Sequence, residues 1–230
     1  MPPAAPTHFD HLAQPYRWLE YFSFGPMLER CRFHRIPELA TAQRALVLGD
    51  GDGRFLARLL TANLHLQADV VDQSPAMLRL LEARASAAGA RDRIRIHQAD
   101  VLAFVPAGTY DLVVTHFFLD CFTTEDVETL AETIRPHLAP NARWLISEFA
   151  IPGGIASLPA KSIVASLYAA FRVLTGLRTR SLPNYAAVLT RSGFTLEERK
   201  PFLAGLLVSE LWNLKENVAN PPAWQAGDGV

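Results

Sequence analysis

Short apolar runs alternate along the chain with stretches whose apolar positions recur every three or four residues. Residues 44–49 (Arg-Ala-Leu-Val-Leu-Gly) form an apolar run ended by glycine, which predicts a buried strand. Phe55, Leu56, Leu59 and Leu60 follow at helical spacing. Residues 68–72 predict a second strand. Ser74-Pro75 then opens a helix, with Ser74 as N-cap and Pro75 at its first position. Met77, Leu78 and Leu81 mark the buried stripe of that helix. Residues 93–97 alternate with period two and predict a third strand, and residues 110–115 a fourth. Thr123, with Asp126 three residues on, predicts a capped helix whose apolar face is Val127, Leu130, Ala131, Ile134 and Leu138. Residues 143–149 predict a fifth strand. Strand–helix alternation of this kind argues for an α/β domain with a largely parallel sheet and right-handed crossovers.

The rhythm differs at both ends. Residues 9–34 are aromatic-rich and predict helical pieces broken near Gly25-Pro26. Ile163, Leu167, Phe171 and Leu174 predict an amphipathic helix over 158–177, followed by a short helix near 182–192. Residues 194–202 and 206–212 predict two strands close enough for an antiparallel hairpin. The chain thus divides into an N-terminal helical cap segment (1–43), a core (44–154), a helical lid insertion (155–192), a C-terminal hairpin (193–219) and a tail (220–230).

Composition narrows the classes of function. Half of the 230 residues are hydrophobic, enough for a sizeable core. A net charge of -1 argues against a broad polyanion-binding surface, so no nucleic-acid partner is expected. Two cysteines, Cys31 and Cys121, are too few for a disulfide scaffold and are not spaced as a metal site, so no metal is expected. No run of 18 apolar residues predicts a transmembrane segment, and the start lacks the pattern of a secretory signal. The expectation is a cytoplasmic protein whose oligomeric state the sequence leaves open.

The sharpest motif is Gly49-Asp50-Gly51-Asp52-Gly53-Arg54, at the junction of the first strand and the next helix. Glycines at such a junction let a ligand approach the backbone closely. A dinucleotide fingerprint needs a glycine or alanine where Arg54 stands, and the Lys-Ser/Thr of a P-loop is absent. Asp50 and Asp52 would repel a pyrophosphate and suit a ligand with a positive group. Asp72 ends the second strand 19 residues after Gly53, where a carboxylate can accept hydrogen bonds from both hydroxyls of a ribose. Asp100, after the third strand, is placed to meet the amine of adenine, with Val101 offering its amide.

In their order these residues resemble the class I S-adenosylmethionine-dependent methyltransferases over about residues 44–150. The resemblance implies a Rossmann-like, seven-stranded, mostly parallel sheet with an antiparallel C-terminal hairpin strand and a helical cap. The implied cofactor is S-adenosyl-L-methionine, with S-adenosyl-L-homocysteine as product, held by Gly49, Asp50, Gly51, Asp52, Gly53, Asp72, Gln73, Met77, Asp100, Val101 and His116. Val47 stands where the family often has an acid, so Asp50 or Asp52 is expected to take over the contact to the cofactor's amino group. Residues 9–17 (Phe-Asp-His-Leu-Ala-Gln-Pro-Tyr-Arg) look like the opening of the ubiquinone/menaquinone-biosynthesis type. By that match Tyr16 closes over the cofactor, while Arg17 departs from the usual aspartate.

The reacting group is expected at the end of the fourth strand, because ligands sit outside the carboxyl ends of parallel strands. There the chain reads Thr115-His116-Phe117-Phe118-Leu119-Asp120-Cys121-Phe122, without the Asn/Asp-Pro-Pro-Tyr/Phe motif of many nucleic-acid amino methyltransferases. His116 is the candidate base, the alternative being that it lines the cofactor. Asp120 either orients His116 or caps the following helix, and Cys121 reads as a small buried filler. Glu148 ends the fifth strand, where it either faces solvent or serves the cleft as a second catalytic group. Phe118, Leu167, Tyr168 and Phe171 are expected to line the substrate, although plain packing also explains the 158–177 stripe. Arg172, Arg178, Arg180 and Arg191 either meet an anionic group or form a solvated face. The expected activity is methyl transfer to carbon or oxygen of a small, hydrophobic, lipid- or quinone-like acceptor. A polar-metabolite methyltransferase and a cofactor-binding protein without transferase activity are the alternatives.

Overall fold

Seven strands join in one sheet in the order β3-β2-β1-β4-β5-β7-β6. The computed structural model describes residues 26–151 and 182–215. The strands are β1 (Arg44–Leu48), β2 (Gln67–Asp72), β3 (Ile94–Gln98), β4 (Tyr110–His116), β5 (Leu138–Phe149), β6 (Phe194–Phe202) and β7 (Leu207–Leu214). The first five pair in parallel, and β7 runs antiparallel to both β5 and β6. The mostly parallel sheet with a reversed strand near its C-terminal edge is the predicted fold.

The helices are α1 (Pro26–Phe33), α2 (Arg54–Ala62), α3 (Pro75–Ala87), α4 (Thr124–Ile134) and α5 (Tyr185–Arg191). Strand alternation sorts the core into two layers. Ala45, Val47, Val70, Leu112, Val114 and Leu145 pack against Phe55, Leu59 and Leu60 of α2 and Leu78 and Leu81 of α3. Leu46, Leu48, Val113, Trp144 and Ile146 pack on the other face against Val127 and Leu130 of α4 and Val188 and Leu189 of α5. Leu28 and Cys31 of α1 pack with Phe149 and Leu207, so α1 sits on the α2 side over the ends of β5 and β7.

Local signals hold closely. Ser74 accepts the Met77 amide at 3.3 Å, and Thr123 and Asp126 form a reciprocal capping box. Two details differ from the pattern. Met77 is half-buried, and the buried stripe of α3 runs through Leu78, Leu81 and Ala85. Strand β5 begins five residues earlier than residues 143–149 suggested: Pro140 and Asn141, with φ 58° at Asn141, interrupt its alternation while the pairing continues. The predicted long helix at 158–177, with Leu167, Tyr168, Phe171, Arg172, Arg178 and Arg180, lies outside the described residues, as does Tyr16.

Candidate active site

The strand order reverses between β1 and β4, and a crevice opens at such a point outside the carboxyl ends of parallel strands. The glycine loop, Asp72, Asp100 and the segment after β4 all emerge at this end of the sheet. Gly53 takes φ 78° as the residue before α2, and an added Cβ there would stand 2.6 Å from Leu81 Cγ and 2.7 Å from Leu81 Cα. That glycine is required by the close packing of α2 on α3. Gly51 also has positive φ, at 62°, but nothing lies within 4 Å of its would-be Cβ. A side chain there would point into open space.

The two loop aspartates have different duties. Asp52 pairs with Arg54 at 3.1 Å and Arg84 at 2.9 Å, so its charge is already met within the protein. Asp50 Oδ2 accepts the Leu56 amide at 3.1 Å, at the start of α2. Burial pushes the Asp50 carboxyl up to about 7, against the opposing pull of that amide and of Arg32. A carboxyl held this high gains from a cationic neighbour. Of the two acids, Asp50 is the one without a cationic partner at ion-pair distance among the described residues.

Asp72 closes the other side of the loop. Its carboxyl accepts the Ser74 amide at 2.8 Å and also takes the amides of Gly51 and Gln73. Burial nevertheless raises its proton affinity. Asp72 thus joins the end of β2 to Gly51 of the loop. Asp100 is exposed, its Oδ1 bonded to the Leu102 amide at 3.0 Å, beside the buried Val101. Gln73 is exposed and Met77 half-buried, both at the start of α3.

His116 and Glu148 fall on opposite faces of the sheet. His116 pairs in register with Ser147, and the next residue, Glu148, points the other way. His116 lies on the α2 face, 3% exposed, its ring 4.3 Å from that of Phe55. Neither ring nitrogen has a hydrogen-bond partner among the described residues. Burial holds its pKa well below the ordinary value, and the charge of Arg32 adds to this, so the ring is uncharged near neutral pH. Asp120 neither orients His116 nor caps α4, because Thr123 performs the capping.

Glu148 is 1% exposed and does not face solvent. Its Oε1 accepts the Phe118 amide at 2.9 Å and the Leu119 amide at 2.7 Å. The carboxylate therefore holds the turn that follows β4. Phe117 enters this turn with φ 51°, and the Phe118 ring lies over Gly49, where an added Cβ would overlap it. Cys121 is exposed rather than a buried filler. Arg191 pairs with Glu128 at 3.1 Å on the surface. Sequence reasoning missed Arg32, whose guanidinium lies 5.1 Å from the centre of the Phe117 ring and whose charge acts on both Asp50 and His116. Only the fold brings α1 to that place.

A family model described as a methyltransferase domain matches residues 46–144. Those residues are similar to the class I methyltransferase domain. The methyl donor of this class is S-adenosylmethionine, and the open backbone at Gly51, the ribose-competent Asp72 and the acid at Asp50 suit it. Mitomycin biosynthesis 6-O-methyltransferase from Streptomyces lavendulae is 27% identical over 168 residues, which cover 73% of this chain and 46% of the relative. The chain thus spans about half the length of that relative. The structure of mitomycin 7-O-methyltransferase MmcR superposes with a TM-score of 0.65 at 20% identity, covering 91% of this chain and 61% of that one. The N-methyltransferase NodS from Bradyrhizobium japonicum WM9, in complex with S-adenosyl-L-homocysteine, gives 0.60 at 17% identity, covering 82% of this chain and 88% of that one. These relatives do not support the ubiquinone/menaquinone type as the nearest layout. Among the described residues, no cluster of His, Cys, Asp or Glu is placed to hold a metal ion, and no helix is long and apolar enough to cross a membrane.

Proposed function

We propose that the protein transfers a methyl group from S-adenosylmethionine to a hydroxyl oxygen of a small, largely apolar acceptor. The glycine loop clasped by Asp72 carries the cofactor half of this reading. Gly49, Gly51 and Gly53 shape the loop, Asp50 meets the amino group, Asp72 the ribose, and Asp100 with Val101 the adenine. Gln73, Met77 and His116 line the remaining wall.

Oxygen is preferred to carbon because the curated relative acts on oxygen by its name. An apolar acceptor suits the aromatic rings gathered after β4 and β5. Phe117 and Phe149 lie 5.2 Å apart, and Phe118 and Phe122 5.0 Å. The cofactor supplies a sulfonium methyl that is already activated. The protein has to align the acceptor oxygen, exclude water and receive one proton.

A panel of phenols, enolisable quinones and primary amines, incubated with methyl-labelled S-adenosylmethionine, tests the reading. The label is expected in ethers. Label confined to C-methyl or N-methyl products contradicts the oxygen assignment. Binding of S-adenosylhomocysteine without transfer to any acceptor leaves a binding protein instead.

A further inference from the structure

Two carboxyl groups meet where β4 and β5 end. Glu148 binds the amides of Phe118 and Leu119, and its Oε2 is buried without a partner among the described residues. The same turn carries Asp120, which is half-buried and sits beside Glu148. Cys121 Sγ lies 3.6 Å from Asp120 Oδ1. Behind Glu148 stand Tyr185 of α5 and Glu210 of β7, which bond to each other. Burial and the neighbouring Asp120 raise the Glu148 carboxyl well above the carboxylate range, and burial raises Asp120 as well.

The turn is also next to the cofactor loop. The left-handed Phe117 folds it back, and the Phe118 ring rests on Gly49. Asp120 is therefore two residues from a direct contact with the loop. His116 is less suited to move a proton: it is enclosed on the other face beside Phe55, and burial has lowered its basicity.

We infer that Asp120 is the catalytic base that takes the acceptor's hydroxyl proton, and that Glu148 positions it by holding the turn through the Phe118 and Leu119 amides. This rests on the O-methyl-transfer reading above. The acceptor oxygen gives its proton to an Asp120 carboxylate oxygen as it bonds to the methyl carbon. The carbon–sulfur bond breaks with its electron pair on sulfur. One carboxylate and one sulfonium become a neutral acid and a thioether, and the acceptor becomes an ether.

Phenol and 4-nitrophenol serve as paired probes, because the second is ionised near neutral pH and needs no base. Asp120→Asn is expected to lose about 100-fold or more in transfer to phenol and little in transfer to 4-nitrophenol, with S-adenosylhomocysteine affinity retained. Asp120→Ser, in a half-buried position, is a second variant should the first fold poorly. Glu148→Gln keeps an oxygen for the two amides and should transfer to phenol at close to the wild-type rate. Glu148→Ala should lose phenol transfer and keep transfer to 4-nitrophenol. A readout independent of turnover is infrared titration of the S-adenosylhomocysteine complex. Asp50 and Glu148 also ionise above the ordinary range, so the expected result is one such carboxyl fewer in Asp120→Asn than in wild type. Equal loss on both phenols, unchanged phenol transfer in Asp120→Asn, or an unchanged number of such carboxyls overturns the inference. A wild type that binds S-adenosylhomocysteine but methylates no hydroxyl overturns the parent reading and this one with it.

Discussion

Gly53→Ala is expected to destabilise the protein by about 2–4 kcal/mol, with Gly51→Ala costing only about 1 kcal/mol. Both residues have positive φ, so a side chain strains the backbone at either. At Gly53 the new methyl also meets Leu81 Cα at 2.7 Å, and a backbone atom of α3 cannot turn aside. In a protein whose net stability is of the order of 5–15 kcal/mol, this lowers the melting temperature by roughly 5–15 °C. Gly51 meets nothing, so its variant folds but carries a methyl where the cofactor should lie. Thermal melts with and without S-adenosylhomocysteine separate the two. The ligand should raise the melting temperature of Gly53→Ala and do little for Gly51→Ala. Equal stabilisation of both variants would remove Gly51 from the cofactor site.

Asp72→Ala is expected to weaken S-adenosylhomocysteine binding about 100-fold, the loss of one charged partner that meets two ribose hydroxyls. The substitution also frees the amides of Gly51, Gln73 and Ser74, so the loop loses its tie to β2. Asp72→Asn keeps an acceptor oxygen and should fall less. Asp52→Ala is the contrast. Its partners are Arg54 and Arg84, so cofactor affinity should stay within about threefold of wild type. Calorimetry on the three variants reads the difference. An Asp72→Ala protein that binds as wild type would place the ribose elsewhere.

The parts legible in the sequence are those whose physics is local. A buried run ended by glycine, an N-cap serine before proline and a Thr/Asp capping box each carry their own signal within a few residues, and β1, α3 and α4 follow it. The order of glycine loop, Asp72 and Asp100 pointed to the cofactor because each lies at or just after the end of its strand. What the sequence could not show depends on partners far along the chain. Arg84, 32 residues from Asp52, takes one loop acid out of service and leaves Asp50. His116 and Glu148 were each candidates for the cleft because each comes at the end of a strand. The β4–β5 register, in which His116 faces Ser147, puts the two acid–base candidates on opposite faces. The same register brings Glu148 under the turn after β4, 30 residues away, and so places it beside Asp120.

The most direct measurement is titration calorimetry of the unmodified protein with S-adenosylhomocysteine and, in parallel, with NAD. The open Gly51 backbone, the Asp72 clasp and the Asp50 carboxyl predict micromolar or tighter binding of the sulfur compound and no measurable heat with the dinucleotide. Tight binding of NAD with no binding of S-adenosylhomocysteine would contradict the account.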